Sequence, residues 1–176
     1  MAACLEATRE TNDPNSITYA THYLGLVKQA QGDLSAARQF IEQSMTLFSE
    51  FNDLVGLERA SVAMGFLEID AENFEAARSH FLTFLRARQR VHAVRYILAA
   101  VLGTAVVCAH FGDPFTALVW ALSVLQHPGL DWEARQRAET LCAGLQAQLT
   151  PDQISQAQQE AVGQPFNAIL SGIVGQ

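Results

Sequence analysis

Charge is what this sequence has little of. Asp, Glu, Lys and Arg make up only 16% of its 176 residues, against about a quarter in ordinary soluble domains. Cations are the scarcer sign, 11 Lys and Arg against 18 Asp and Glu for a formal net charge of -7. That excludes a nucleic acid as the direct partner, because phosphate binding is driven by clustered cations. Cysteine is also sparse: Cys4, Cys108 and Cys142 include no CxxC pair, which fits neither a disulfide framework nor a zinc site and points to a reducing, cytoplasmic compartment. The first ten residues lack the basic and apolar regions of a secretory signal. No stretch is long enough to span a membrane, and the longest uncharged run, 96–112, contains Gly103, Thr104 and His110, so it reads as a helix buried in protein. A hydrophobic content of 49% excludes disorder.

What is there is a repeat. Gly32-Asp33-Leu34-Ser35-Ala36-Ala37-Arg38 aligns with Glu72-Asn73-Phe74-Glu75-Ala76-Ala77-Arg78 and with Gly112-Asp113-Pro114-Phe115-Thr116-Ala117-Leu118, at intervals of 40 residues. Seven residues before each turn stands Gly25, Gly65 or Ala105, and five after it Ala37, Ala77 or Ala117. The pattern reads as antiparallel helix pairs in which two small residues face each other: Gly25 with Ala37, Gly65 with Ala77, Ala105 with Ala117. Each turn residue closes the first helix, and the Asp or Asn after it caps the second by accepting free N-terminal amides. Pro114 suits a first helical turn.

Apolar residues recur every three or four positions in the flanking segments, the period of a helix. The spacing predicts helices over 16–31, 34–51, 54–71, 74–90, 92–111 and 114–126. After His127-Pro128-Gly129 a further helix runs from the N-cap Asp131 to about 149, and another starts at Thr150-Pro151-Asp152. The expected organisation is one domain, 1–176: a partial preceding helix at 2–11, repeats at 16–51, 54–90 and 92–126, a closing helix pair at 131–163 and a tail at 164–176. The fold class is all-α, a right-handed solenoid of helix pairs.

These residues resemble the tetratricopeptide repeat family, whose units carry Leu-Gly in the first helix, a Gly-Asp or Gly-Asn turn and a small Ala in the second. Leu24-Gly25 with Gly32-Asp33 and Ala37 matches best, followed by Met64-Gly65 with Asn73-Phe74 and Ala77, then Thr104-Ala105 with Gly112-Asp113 and Ala117. The period is longer than that family's 34, and Thr21, Ser61 and Val101 stand where its early aromatic falls. Longer repeats of this kind resemble the C-terminal arrays of large bacterial signalling ATPases and LuxR-type transcriptional regulators, and the tail from Leu149 to Leu170 is similar to how such arrays close. The resemblance covers 16–170. It implies a protein–protein interaction or effector-sensing module of a bacterial cytoplasmic regulator, its partner a protein or peptide segment or other domains of the parent protein. The alternative is a structural homo-oligomerisation module.

Chemistry of its own is not declared. No phosphate-binding loop, dinucleotide fingerprint, HExxH or GxSxG sequence occurs, so no catalytic residue, cofactor or metal is expected. Cys108 and His110 lie two apart on one helix and point away from each other. Glu68, Asp70 and Glu72 read as a solvated rim. Arg86, Arg88, Arg90, His92 and Arg95 read as a solvated basic face or a docking contact.

In a stack of helix pairs the first helices line the concave side. Counting from the small residues places His22, Leu26 and Gln29, then Val62, Phe66 and Ile69, then Leu102, Val106 and Ala109 there, with Tyr19, Arg59, Ala99 and His110 alongside. Of these, Tyr19, His22, Leu26, Arg59, Val62, Phe66, Leu102, Val106 and His110 are the candidate partner-binding groove. With Arg59 its sole cation, the stripe disfavours capture of a free carboxylate and suits an amphipathic helix. Packing of Phe66, Leu102 and Val106 on one another is the other reading.

Overall fold

A computed structural model describes residues 14–87 and 94–175. All regular structure among them is helical: α1 (Pro14–Ala30), α2 (Leu34–Glu50), α3 (Leu54–Asp70), α4 (Phe74–Arg86), α5 (Val94–His110), α6 (Pro114–Leu125), α7 (Trp132–Gln146), α8 (Pro151–Gly163) and α9 (Phe166–Gly175). The helix expected over 2–11 lies outside the described residues, as do Cys4, Arg88, Arg90 and His92. The helix expected over 74–90 is described to Arg86, and the segment expected as a tail holds α9.

The chain reverses by one repeated device. Gly32, Asn52, Glu72 and Gly112 take positive φ of 78°, 54°, 58° and 94°, the first three of them twenty residues apart. The N–H of the following residue then reaches back five positions, Asp33 to Lys28, Asp53 to Phe48, Asn73 to Glu68 and Asp113 to Cys108, which satisfies the last carbonyls of each helix. The side chain of that same residue starts the next helix: Asp33 accepts from Ala36 N–H at 3.2 Å, Asp53 from Gly56 at 2.8 Å and Asp113 from Thr116 at 2.9 Å. Asn73 departs from the expected capping role. It makes no side-chain cap bond and instead donates its amide to Glu68 Oε2 at 3.1 Å.

Helices α1–α2, α3–α4 and α5–α6 form three consecutive pairs, and the second helix of each pair packs on the first helix of the next. The first helices also lie side by side, α1 on α3, α3 on α5 and α5 on α7, so one face of the molecule is built from α1, α3, α5 and α7. Helices α7 and α8 both pack on α6, and α9 lies against α4 and α6, burying Ile169, Leu170 and Ile173. Enclosed this way, α6 can be apolar all round, which accounts for its uncharged sequence PFTALVWALSVL.

Close approach is paid out through glycines. A Cβ at Gly25 would lie 2.8 Å from Ile41 Cγ1 and 3.3 Å from the Ala37 carbonyl, the contact that the spacing anticipates. At Gly65 the nearest atoms belong to Phe81 rather than Ala77, with a Cβ only 2.5 Å from the ring, and at Gly103 the same ring comes within 2.2 Å. Glycines on α3 and α5 thus make room for one Phe81 ring from α4. The buried apolar residues fall into two clusters. The smaller joins α2 and α3 through Ala37, Ile41, Phe48, Ala60 and Leu67, and the larger runs from Val62 to Ile173.

Candidate functional site

The face made by α1, α3, α5 and α7 holds a groove of about 570 Å³, within the range of small-molecule sites. Of the candidate residues, His22, Leu26, Arg59, Val62, Phe66 and Leu102 line it, together with Gln29 and Ala99. Because these helices run alongside one another, residues early in each lie near one end and residues late in each lie near the other. Two cross-helix bonds fix that register. Arg59 of α3 donates to Tyr23 of α1 at one end, and Gln29 of α1 donates to Asp70 of α3 at 2.6 Å at the other.

Three arginines reach this groove, not one. Arg59 Nε donates to Tyr96 Oη at 2.9 Å and its Nη1 to Tyr23 Oη, while the guanidinium sits 5.1 Å from the Tyr19 ring centre and 5.4 Å from that of Tyr23, a cation–π arrangement. Arg95 at the start of α5 donates to the same Tyr96 hydroxyl at 3.2 Å and lies 4.9 Å from its ring. Arg137 of α7 lies 5.1 Å from the Phe66 ring. Counting from small residues in three repeats could find neither addition: Arg95 precedes the counted positions, and α7 belongs to no counted repeat. Arg95, read as part of a solvated face, is exposed yet lines the groove.

His22 has no exposed surface, so it backs the groove wall without opening onto it, and neither ring nitrogen has a hydrogen-bond partner. It packs edge-on to Tyr23 and Phe48, at 5.8 and 6.1 Å between ring centres. Burial, and then the nearby Arg59 charge, push its pKa from the ordinary 6.5 down to about 4, so the ring is neutral. Tyr19 stands behind the groove rather than in it. Its hydroxyl donates to Asp53 Oδ2 at 2.7 Å, tying α1 to the α3 cap, and burial followed by that bond raises its pKa to about 12.

Val106 and His110 do not line the groove. They lie further along α5 than Leu102, and the His110 ring stacks on Phe74 at 3.5 Å with an 11° tilt, which draws it to the start of α4. Glu68 is also displaced from its expected place. It is 4% exposed and bonds Arg38 of α2 at 2.6 Å and Asn73 of the following turn, with His80 of α4 at 4.0 Å. Its hydrogen bond with Arg38 outweighs burial and holds its carboxyl below the usual range. Sequence reading missed this junction because the partners come from α2, α3, α4 and the intervening turn.

The remaining chemistry-bearing groups stay apart. The Cys108 thiol points to the Asp113 carbonyl at 3.6 Å, and burial first, then Asp113, push its pKa up to about 11. Among the described residues no three His, Cys, Asp or Glu side chains converge to hold a metal ion, and no helix is long and apolar enough to cross a membrane. What the groove offers is guanidinium and phenol donors at one end over an apolar floor. No protein-family model, curated protein or solved structure matches the chain.

Proposed function

We propose that this chain is a recognition module whose groove along α1, α3, α5 and α7 captures a ligand or a protein segment, without catalysis of its own. The observation that carries the reading is the groove itself: four helices from successive units contribute to one concavity, and Arg59 spans it with donors still available. Extended repeat stacks are suited to this use, because small rotations between units create concave surfaces. On this reading the helix pairs form a right-handed tetratricopeptide-like solenoid with 40-residue units. Its place is in a bacterial cytoplasmic transcriptional regulator or signalling ATPase, where occupancy of the groove biases the activity of other domains.

Ala99 lines the groove, so Ala99→Trp intrudes on the space without removing any bond described above. A ligand or peptide that raises the melting temperature of the native protein should leave the Ala99→Trp protein unmoved. Equal stabilisation of both proteins by every ligand found would remove the groove from the function.

Homo-oligomerisation is the second reading, supported by Trp132, which is 76% exposed at the start of α7. Light scattering across a concentration series tests it. A strict monomer at high concentration defeats it, and a dimer lost on Trp132→Ala supports it.

A further inference from the structure

The two ends of the groove differ in what they leave unsatisfied. At the far end Asp70 already accepts from Gln29; the other carboxylate of the lining, Asp131, stands at the start of α7, towards the arginines, and accepts from Ala134 N–H at 2.8 Å as the cap of that helix. At the near end, among the described residues, Arg59 and Arg95 bond only tyrosine hydroxyls and face tyrosine rings. No carboxylate among the described residues pairs with either. Arg59 uses two of the five N–H donors of a guanidinium, and its Nη2 donates to nothing described. His22 beside it is wholly buried with both nitrogens unpartnered, and such groups in a folded protein call for an explanation.

We propose that the groove is a site for a small amphiphilic carboxylate, with its head on Arg59 and Arg95 and its apolar body over Val62, Leu102 and Phe66. This rests on the reading of the groove as a recognition surface and names its ligand class. A guanidinium fork matches the geometry of a carboxylate. The tyrosines hold Arg59 in place in advance, which lowers the ordering cost of binding. The volume of about 570 Å³ suits a small molecule. The overall charge of -7 disfavours a long polyanion, which would meet repulsion beyond the groove, whereas a compact monoanion feels mainly the arginines within the ~8 Å screening length of physiological salt.

Calorimetric titration tests this with four probes: hydrocinnamate, its neutral amide, 3-phenylpropylamine, and an acidic tetrapeptide blocked at both ends. Hydrocinnamate should bind at least roughly tenfold more tightly than the amide, since a charge-assisted bond is about twice as strong as a neutral one, and its affinity should fall with added salt. The amine should bind weakest. Arg95→Met, at an exposed position, should weaken hydrocinnamate several-fold while leaving the melting temperature in place. Arg59→Met should abolish the preference for acid over amide, with circular dichroism checking that it still folds. Equal affinity for acid and amide, no binding of hydrocinnamate, hydrocinnamate affinity unchanged in Arg95→Met, or a preference that survives in a folded Arg59→Met would overturn the proposal. Tighter binding of the tetrapeptide, lost in Ala99→Trp, would also overturn the small-ligand assignment while leaving the recognition module standing.

Discussion

The Phe81 ring occupies the space that a side chain on Gly103 would need: a Cβ there would lie 2.2 Å from Cζ. Phe81 is fully buried and Gly65 meets the same ring, so the ring has little room to retreat. Gly103→Ala is therefore expected to destabilise the protein by about 2 kcal/mol or more through overpacking. Gly144, in exposed α7 with nothing within 4 Å of its added Cβ, makes the contrast: Gly144→Ala should stabilise by about 0.5–1 kcal/mol through helix propensity. Urea unfolding of both variants checks the opposite signs.

Asp follows the positive-φ residue at three of the four reversals, and Asn73 at the fourth. A design by consensus would write Asp there. Because Asn73 donates to the buried Glu68, Asn73→Asp removes a donor and sets two carboxylates about a hydrogen bond apart, so it should destabilise by about 1–3 kcal/mol. Asp113→Ala should cost only about 1 kcal/mol as a lost cap. Thermal melts at neutral pH that show Asn73→Asp neutral or stabilising would contradict this account of the junction.

Acid should weaken the fold in two stages. His22 is neutral when folded, with a pKa near 4 against 6.5 when unfolded. Between those values the unfolded chain takes up a proton that the native chain does not, so stability falls as pH drops from about 6.5 to about 4 and then levels. The loss is on the order of 3 kcal/mol. Glu68, held below the ordinary carboxylate value of 4.5, keeps its contribution down to about that pH and loses it as the pH falls further. His22→Leu should flatten the first stage and leave the second, as read from unfolding free energies at pH 7, 5 and 3.

The all-helical architecture and the places where the chain reverses were legible in the sequence, because small residues, Gly-Asp turns and a three-to-four-residue apolar period are local signals. The break at Asn52-Asp53 was placed by the helix bounds 34–51 and 54–71, but its repetition of the same closure twenty residues out of step with the aligned turns was not read. Gly25 and Ala37 approach as their spacing implies, whereas Gly65 turns to Phe81, since a ring on the next turn of α4 outreaches the methyl of Ala77. In the groove, six of the nine candidates line one space. Tyr19 was pulled aside by Asp53, His110 by Phe74, and Val106 lies beyond Leu102. The added arginines and the Glu68 junction depend on which distant helices meet, and no periodicity within a single helix carries that information.

The division of the apolar interior into two clusters gives the first helix pair a separate life in hydrogen exchange. Helices α1 and α2 hold to the rest through α3, with the Arg38–Glu68 pair at the seam, so they form a unit able to open on its own while α4 to α9 stay protected. That unit also carries His22, Tyr23 and Leu26, one wall of the groove. Amides of α1 and α2 should therefore exchange faster than those of α5 and α6, and a groove ligand should slow them selectively. Occupancy of the groove would then be written in the opening rate of one end of the molecule, without any shift in the rest of the stack.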